Sequence, residues 1–209
     1  MKKIKNRILE SLLSGDHRSC SKFVNDLIDS GIPVKEIYED YLKLALYEVG
    51  ELWEQNKISV ATEHLASAIV ESLLNEIGMK TMPSAPLNRK VIVTCLENES
   101  HQIGARMVSD IFEMLGWNVK FLGANTPMRD LVNFIELVKP ETVAISVSIY
   151  FHLPTLEKTL NLIRREFPDL PVIIGGQAFV RGGVETLRKY NKVVYLSGLD
   201  GIEQFIRNF

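Results

Sequence analysis

A histidine that could bind a metal lies two residues from a carboxylate, in the stretch Glu97–Gly104. Imidazole is a good ligand for transition metals, and a carboxylate that holds the second ring nitrogen orients the ring. Glu99 and His101 are the candidates for such a pair. Gly104, three residues further on, would let a ligand pass close to the backbone. A lone histidine in a loop is more often solvated or part of a core. Whether this histidine binds a metal therefore has to be judged from the residues of the other loops.

Two further loops carry small polar or glycine residues where a predicted strand ends. Ser146 and Ser148 close one strand, and their hydroxyls can hydrogen-bond a polar ligand. Gly175 and Gly176 close the next strand and would open a channel beside the sheet. Each feature alone is common. They gain weight because all of them fall beyond the carboxyl ends of parallel strands, where such sheets bind ligands.

The elements that position these loops follow a linker at residues 81–88, which contains two prolines. Apolar, mostly β-branched runs then alternate with amphipathic helices, which predicts an α/β fold with a five-stranded parallel, doubly wound sheet of flavodoxin-like or Rossmann-like type over residues 89–209. The first run is continuously apolar, as expected for a strand buried on both faces. The predicted strands cover residues 91–96, 119–122, 142–147, 171–174 and 193–196.

Residues 1–80 read as helices only. Apolar spacing of three and four predicts a four-helix bundle with helices near 3–14 and 16–30, one of about five turns over 34–53, and one beginning near Ser59. Trp53 follows Ala45 and Val49 on one stripe, so we expect it to face inward. Four apolar residues of the last helix are spaced by four and should face the core: Leu65, Ile69, Leu73 and Ile77.

Composition excludes several classes of protein. With 46% hydrophobic and 24% charged residues the chain is globular, and a net charge of −2 gives no general pull toward nucleic acid or membranes. No apolar run reaches the ~18 residues of a membrane span, and no secretory signal is present. Cys20 and Cys95 do not form a disulfide framework, so we expect a cytoplasmic protein.

The loop residues resemble the cobalamin-binding domain, whose pattern is Asp-x-His-x-x-Gly, then Ser-x-Leu, then Gly-Gly. Glu99 stands in place of Asp and Ser148 in place of Leu. The resemblance implies that His101 displaces the cofactor's own benzimidazole base and binds cobalt. It also implies a slot beside the sheet that holds the nucleotide tail, lined by Gly104, Ser146, Ser148, Gly175 and Gly176.

The helical half resembles the cap of CarH-type photoreceptors, which are adenosylcobalamin-dependent, light-sensing transcriptional regulators. Trp53, nine residues and then Glu63-His64 match the spacing of that cap. The resemblance implies that Trp53 packs against the upper axial group, while Glu63 and His64 hydrogen-bond its nucleoside. Without that context, Trp53 would be bundle core and Glu63 a solvated charge.

Two departures from the CarH-type pattern limit what it implies. Those regulators carry a DNA-binding domain before the cap, and the 209 residues contain no helix-turn-helix, so we expect no direct binding of nucleic acid. Some members also have a histidine directly after the tryptophan, which takes the upper cobalt position after photolysis. Glu54 occupies that place here, so another ligand or water must serve.

The sequence therefore predicts a light-sensing or regulatory module that binds adenosylcobalamin and is not itself an enzyme. Photolysis would change the cap position or the oligomeric state, and a homo-oligomer or a regulatory partner protein would transmit the change. A corrinoid methyl carrier is the alternative, although carriers usually have Lys where Ala105 follows Gly104. A signalling domain without corrinoid is a third possibility. Binding of a bilin stays open, as does whether His152 lines the ligand face.

Overall fold

The structure is a computed structural model that describes residues 2–81 and 83–209, including side chains except those of residues 2–6 and Arg181. The chain divides into two compact units, Met1–Met82 and Pro83–Phe209. Each unit has its own buried apolar residues. No helix in the described ranges combines the length and apolar character needed to cross a bilayer.

The first unit consists of helices that pack on one another. Helix α1 packs against α2, α4 and α5, and a stretch of π-helix joins α3 to α4. Asp16 and Ser59 cap α2 and α5, since their side chains accept hydrogen bonds from backbone N–H groups in the first turn. The bounds are α1 (Lys2–Leu13), α2 (His17–Asp29), α3 (Val34–Glu36), the π segment (Ile37–Leu42), α4 (Lys43–Glu54) and α5 (Val60–Lys80).

The predicted helix over 34–53 is thus continuous but contains a π-helical segment, which the apolar spacing did not indicate. Ala45 and Val49 are buried as expected. The prediction that Trp53 faces inward is wrong, because the residue is 47% exposed in the last turn of α4, beyond the final buried residue of that helix. Leu65, at 46% exposure, is also not core, whereas Ile69, Leu73 and Ile77 are.

The second unit is a five-stranded, all-parallel sheet with the order β2-β1-β3-β4-β5. It confirms the predicted fold class, and each predicted strand overlaps an observed one. The strands are β1 (Lys90–Cys95), β2 (Asn118–Gly123), β3 (Thr142–Ser146), β4 (Val172–Gly175) and β5 (Val193–Tyr195). The helices are α6 (Ile103–Met114), α7 (Met128–Val138), α8 (Leu153–Glu166), α9 (Val184–Leu187) and α10 (Leu199–Arg207).

The core of the second unit surrounds the inner strands of its sheet. Residues 91–95 of β1 are all buried, as are residues 142–145 of β3. Helix α6 packs with α10, and α7 packs with α8, so helices shield both faces of the sheet. The predicted linker belongs to this unit in part, because the N–H groups of Ser84 and Leu87 donate to the carbonyls of Met114 and Gly116.

The strand order reverses between β1 and β3, which lie side by side although β2 separates them in sequence. Connections leave these two strands in opposite directions and open a crevice at their carboxyl ends, where open α/β sheets bind ligands. The loop that contains Glu99 and His101 follows β1, and the loop that contains Ser148 follows β3.

Candidate functional site

Glu99 is the buried centre of the site, with 0% of its surface exposed. Its Oε1 accepts a hydrogen bond from the backbone N–H of His101 at 3.1 Å and lies 2.5 Å from His101 Nδ1. Its Oε2 accepts from the N–H groups of Ser148 at 2.8 Å and Ile149 at 3.1 Å. One carboxylate therefore joins the loop after β1 to the loop after β3.

These contacts keep the carboxylate ionised. Burial raises the pKa of Glu99, but the hydrogen bonds from the His101 side chain and from the Ser148, His101 and Ile149 amides outweigh it and lower the pKa to about 2. An ionised carboxylate is only an acceptor. Nδ1 of His101 must then carry a proton, so that in the neutral ring the lone pair lies on Nε2, on the far side of the ring from Glu99.

His101 is thus oriented by a buried group while 62% of its own side chain is exposed. A carboxylate that fixes the tautomer and direction of a ring in this way is the usual support of a metal-binding histidine. The donor set is one imidazole, which suits a metal whose equatorial positions are filled by a macrocycle, as in a corrin. The residues present therefore fit the cofactor that the sequence pattern implied.

The loop after β2 braces the histidine loop from the other side. The Asn98 N–H donates to Asn125 Oδ1 at 2.8 Å, and the Asn125 N–H donates to the Glu99 carbonyl at 2.9 Å. Both asparagines have positive φ, of 65° and 51°, a conformation that asparagine tolerates better than most residues. Sequence reasoning did not find this role of Asn125, and its only signal was the turn-forming residue type.

The predicted glycines occupy two different environments. A Cβ built on Gly104, in the first turn of α6, would meet nothing within 4 Å. That open space is consistent with close approach of a ligand. A Cβ on Gly176 would lie 2.1 Å from the Val147 carbonyl oxygen, and φ is 107° there. Packing against backbone therefore already requires that glycine, and a Cβ on Gly175 would lie 3.3 Å from the Leu196 carbonyl oxygen.

The predicted serines lie on the central strand and just after it. Ser146 ends β3 and pairs with Cys95 and Gly175 on the neighbouring strands. Ser148 reaches Glu99 through its backbone N–H, a contact that residue type alone does not indicate. The structure thus brings Glu99, His101 and Ser148 together.

Two other residues of this region complete its chemistry. His152 Nδ1 lies 3.3 Å from Glu99 Oε2, so this ring faces the same carboxylate as His101 does. Cys95 is buried, and burial together with the Glu99 charge raises the pKa of its thiol to about 12. The thiol stays protonated near neutral pH and is a poor metal ligand in that form. Cys20, in the first unit, is also free and buried.

Of the predicted residues of the first unit, Trp53 and His64 are exposed and Glu63 is half-buried. Trp53 is in the last turn of α4, and Glu63 and His64 are in the first turn and a half of α5. Glu63 accepts a hydrogen bond from Ser67 at 2.9 Å, and His64 Nε2 lies 3.6 Å from its other oxygen. Since the His64 side chain is 75% exposed, this contact contributes little to stability.

Comparison with known proteins decides the family. A family model described as "B12 binding domain" matches residues 89–205, and a second model with the same description matches residues 4–77. The chain belongs to the B12-binding family. Its cofactor is cobalamin, and the helical unit and the α/β unit are both parts that this family possesses.

Relatives of two kinds match this B12-binding chain. It is 30% identical over 81% of its length to the HTH-type transcriptional repressor CarH of Myxococcus xanthus, of which the match covers 57%. It is 28% identical to dimethylamine corrinoid protein 1 of Methanosarcina acetivorans, over 68% of each chain. The chain therefore spans little more than half the length of CarH.

A solved structure supports the fold. The monomethylamine corrinoid protein of Methanosarcina barkeri superposes with a TM-score of 0.79 over 100% of this chain and 99% of that one, at 14% identity. At that identity the likeness concerns the fold alone.

Proposed function

We propose that this B12-binding protein is a light-responsive sensory module in which His101 would bind the cobalt of the cofactor through Nε2. The observation that carries the proposal is the contact between buried Glu99 and exposed His101, which holds a proton on Nδ1 and leaves Nε2 as the nitrogen that can bind a metal. When bound, an alkylcobalamin supplies a cobalt–carbon bond that visible light breaks.

The loops around His101 would hold the rest of the cofactor. Gly104 leaves open space at the start of α6, and the strand ends at Ser146 and Gly175 are hydrogen-bonded neighbours in the sheet. We assign Gly104, Ser146, Ser148, Gly175 and Gly176 to the slot for the nucleotide tail. Their small side chains leave room for a ligand beside the sheet.

Residues of the helical unit would contact the upper axial group. An indole exposed to 47% has apolar surface for a ligand, and Glu63 and His64 supply hydrogen-bonding groups. The 30% identity with CarH supports a sensory role for this region. We propose that Trp53 loses its contact when the upper group leaves, and that the helical unit then repacks, changing the oligomeric state or the fit of a regulatory partner protein.

The test is reconstitution with adenosylcobalamin in darkness, followed by green light, with absorption spectra and size-exclusion chromatography before and after. We expect the spectrum and the elution volume both to change. Trp53→Ala should keep the spectral change and lose the change in size. Tyr47→Ala is the matched control, because Tyr47 is also an exposed aromatic residue of α4, at 40%. An unchanged spectrum and elution volume would rule out the sensory proposal.

A methyl-carrier role is the second candidate, favoured by the similarity to dimethylamine corrinoid protein 1. It requires a partner methyltransferase to exchange a methyl group with the bound cobalt. Incubation of the reduced, cobalamin-loaded protein with such an enzyme and its methylamine substrate separates the two. Methylation of the bound cobalt in the parent, together with its loss in Glu99→Gln, would favour the carrier. A light-dependent change in size without methylation of the cobalt would favour the sensor.

A further inference from the structure

A surface cavity of about 280 Å³ lies between the loop after β3 and α9. Its walls come from the short helical turn Tyr150–His152, from the start of α8 and from the segment 183–186. Leu153 and Val184 in these walls pack on an apolar cluster that includes residues of α7 and α8 and, in the described ranges, none of α6 or α10. The cavity is therefore separate from the open space at Gly104 in α6.

The rim of the cavity is aromatic and open to solvent. Tyr150 and Phe151 line it with their ring planes at 82° to each other, and Phe151 is 87% exposed. Val180 is 81% exposed in the helical turn Gln177–Arg181, which packs on the turn that carries both rings. Exposed apolar side chains that are grouped in this way mark surfaces where proteins interact.

The rest of the lining is acidic and polar. Glu157 of α8 and Glu185 of α9 both line the cavity, together with Thr186. Glu185 Oε1 accepts a hydrogen bond from the Gly183 N–H at 3.2 Å, which orients its carboxylate. None of the eight lining residues that the structure describes is basic. The cavity therefore attracts a cation and disfavours an anion.

A lysine outside the lining already uses one of these carboxylates. Lys189 Nζ lies 2.7 Å from Glu157 Oε2. The side chains of Lys189 and Glu157 are 54% and 35% exposed, so this ion pair contributes little to stability and another cation can take the place of the lysine. Lys189 is thus a competitor for any cation that enters the cavity.

Arginine is the cation that fits both parts of the lining. Its planar guanidinium stacks on aromatic rings and binds carboxylates through several N–H donors, whereas the lysine ammonium is a strongly hydrated point charge. The volume lies just below the roughly 300–1,000 Å³ of small-molecule sites, so the cavity suits one side chain better than a free ligand. Arginine is also enriched where proteins bind one another.

We propose that this cavity binds an arginine side chain of a partner protein, with the guanidinium against Phe151 and paired with Glu157 and Glu185. The partner is then a protein that presents an arginine from a basic surface segment. This docking surface goes beyond the proposed function, because it requires neither a response to light nor a particular upper ligand on cobalt.

The test is NMR of the ¹⁵N-labelled full chain, loaded with hydroxocobalamin, with N-acetylarginine amide as the probe. We expect the backbone amide signals of Gly183, Glu185 and Thr186 to shift and to saturate. N-acetylcitrulline amide, in which a neutral urea replaces the guanidinium, should bind roughly fivefold more weakly or less. Shifts that are absent, do not saturate or lie elsewhere would overturn the proposal, as would equal affinity for the citrulline probe.

Variants of the lining show whether the probe occupies this cavity. Phe151→Ala and Glu185→Gln should each lower the affinity for the arginine probe about two- to fivefold. Both residues are exposed, and Gln at 185 can still accept from the Gly183 N–H, so the fold should persist. Leu137→Ala and Glu136→Gln are the matched controls, since these residues are exposed on α7, and both should bind the probe as the parent does.

Lys189→Gln should change the affinity in the opposite direction. It removes the competing cation from Glu157, so we expect the arginine probe to bind about two- to fivefold more tightly. Lys192→Gln is the matched control, because Lys192 is also an exposed lysine paired with a carboxylate, that of Asp169, at 2.9 Å. Binding by Lys189→Gln no tighter than by Lys192→Gln, or parent-like affinity in Phe151→Ala and Glu185→Gln, would show that arginine does not bind in this cavity.

Discussion

Replacing Glu99 by Gln is the perturbation whose outcome the structure specifies most closely. The amide can keep only one oxygen. Oε2 faces the backbone donors of Ser148 and Ile149, which cannot become acceptors, so the amide oxygen should take that place. The NH₂ group then faces His101. To accept a hydrogen bond from that NH₂ group, the His101 ring must present an unprotonated Nδ1. The ring proton then lies on Nε2 and blocks the nitrogen that would bind cobalt.

Two magnitudes follow from this rearrangement. The partly buried N–H of His101 loses its charged acceptor, which should lower the free energy of unfolding by about 1–3 kcal/mol. Loss of the ligand's supporting carboxylate should weaken cobalamin binding by roughly 10–100-fold. Glu97→Gln is the matched control in the same loop, because the hydrogen bond that Glu97 accepts from the Met128 N–H is long, at 3.4 Å.

Urea unfolding of the apoprotein measures the first quantity, and titration with hydroxocobalamin followed in the visible spectrum measures the second. We expect Glu97→Gln to match the parent in both. Parent-like affinity and parent-like unfolding in Glu99→Gln would refute the view that this carboxylate sets the tautomer of His101.

Three further predictions concern stability and reactivity. Gly176→Ala should destabilise the protein more than Gly182→Ala in thermal unfolding. Both glycines have φ of 107°, so each substitution costs about 1–3 kcal/mol of backbone strain, but only at Gly176 does a carbonyl oxygen lie 2.1 Å from the new Cβ. Equal losses of stability would contradict this account. Both cysteines should resist a thiol reagent in the native protein at pH 8 and react after unfolding, since burial raises the pKa of Cys20 to about 11 and that of Cys95 to about 12. Rapid labelling of the native protein would contradict this prediction. The parent should be more stable than Glu99→Gln by the full difference above the ordinary carboxyl pKa of 4.5, and this difference should shrink as pH falls toward 2, because the pKa of Glu99 in the folded protein is lowered to about 2. A difference in urea titrations that grows in acid would contradict this prediction.

The sheet was predictable because strands that are buried on both faces are runs of almost entirely apolar residues. The run at 91–95 is apolar throughout apart from Thr94, and all five residues are buried. The helical core was predictable from apolar residues spaced by three and four along one face, as at Val49 and Leu73. Trp53 and Leu65 follow the same apolar spacing but lie near the ends of their helices and are about half exposed, since spacing does not record where a neighbouring helix ends.

The ligand pair in the site could be predicted from chemistry, since Glu99 and His101 are two residues apart and a metal-binding imidazole needs such a partner. The groups that hold Glu99 could not. Ser148 and Ile149 use backbone N–H groups, which every residue but proline possesses, and they come from a loop 49 and 50 positions away. Only the parallel pairing of β1 with β3 brings that loop to the carboxylate.

The central claim is that a nitrogen of this protein, rather than of the cofactor, binds cobalt. The most direct measurement compares electron paramagnetic resonance of cobalt(II)-loaded protein grown with ordinary histidine and with ¹⁵N-histidine, with His101→Ala alongside. Because ¹⁴N splits each line into a triplet and ¹⁵N into a doublet, we predict that the labelled parent shows doublets. A triplet that survives labelling, or doublets that persist in His101→Ala, would contradict the claim.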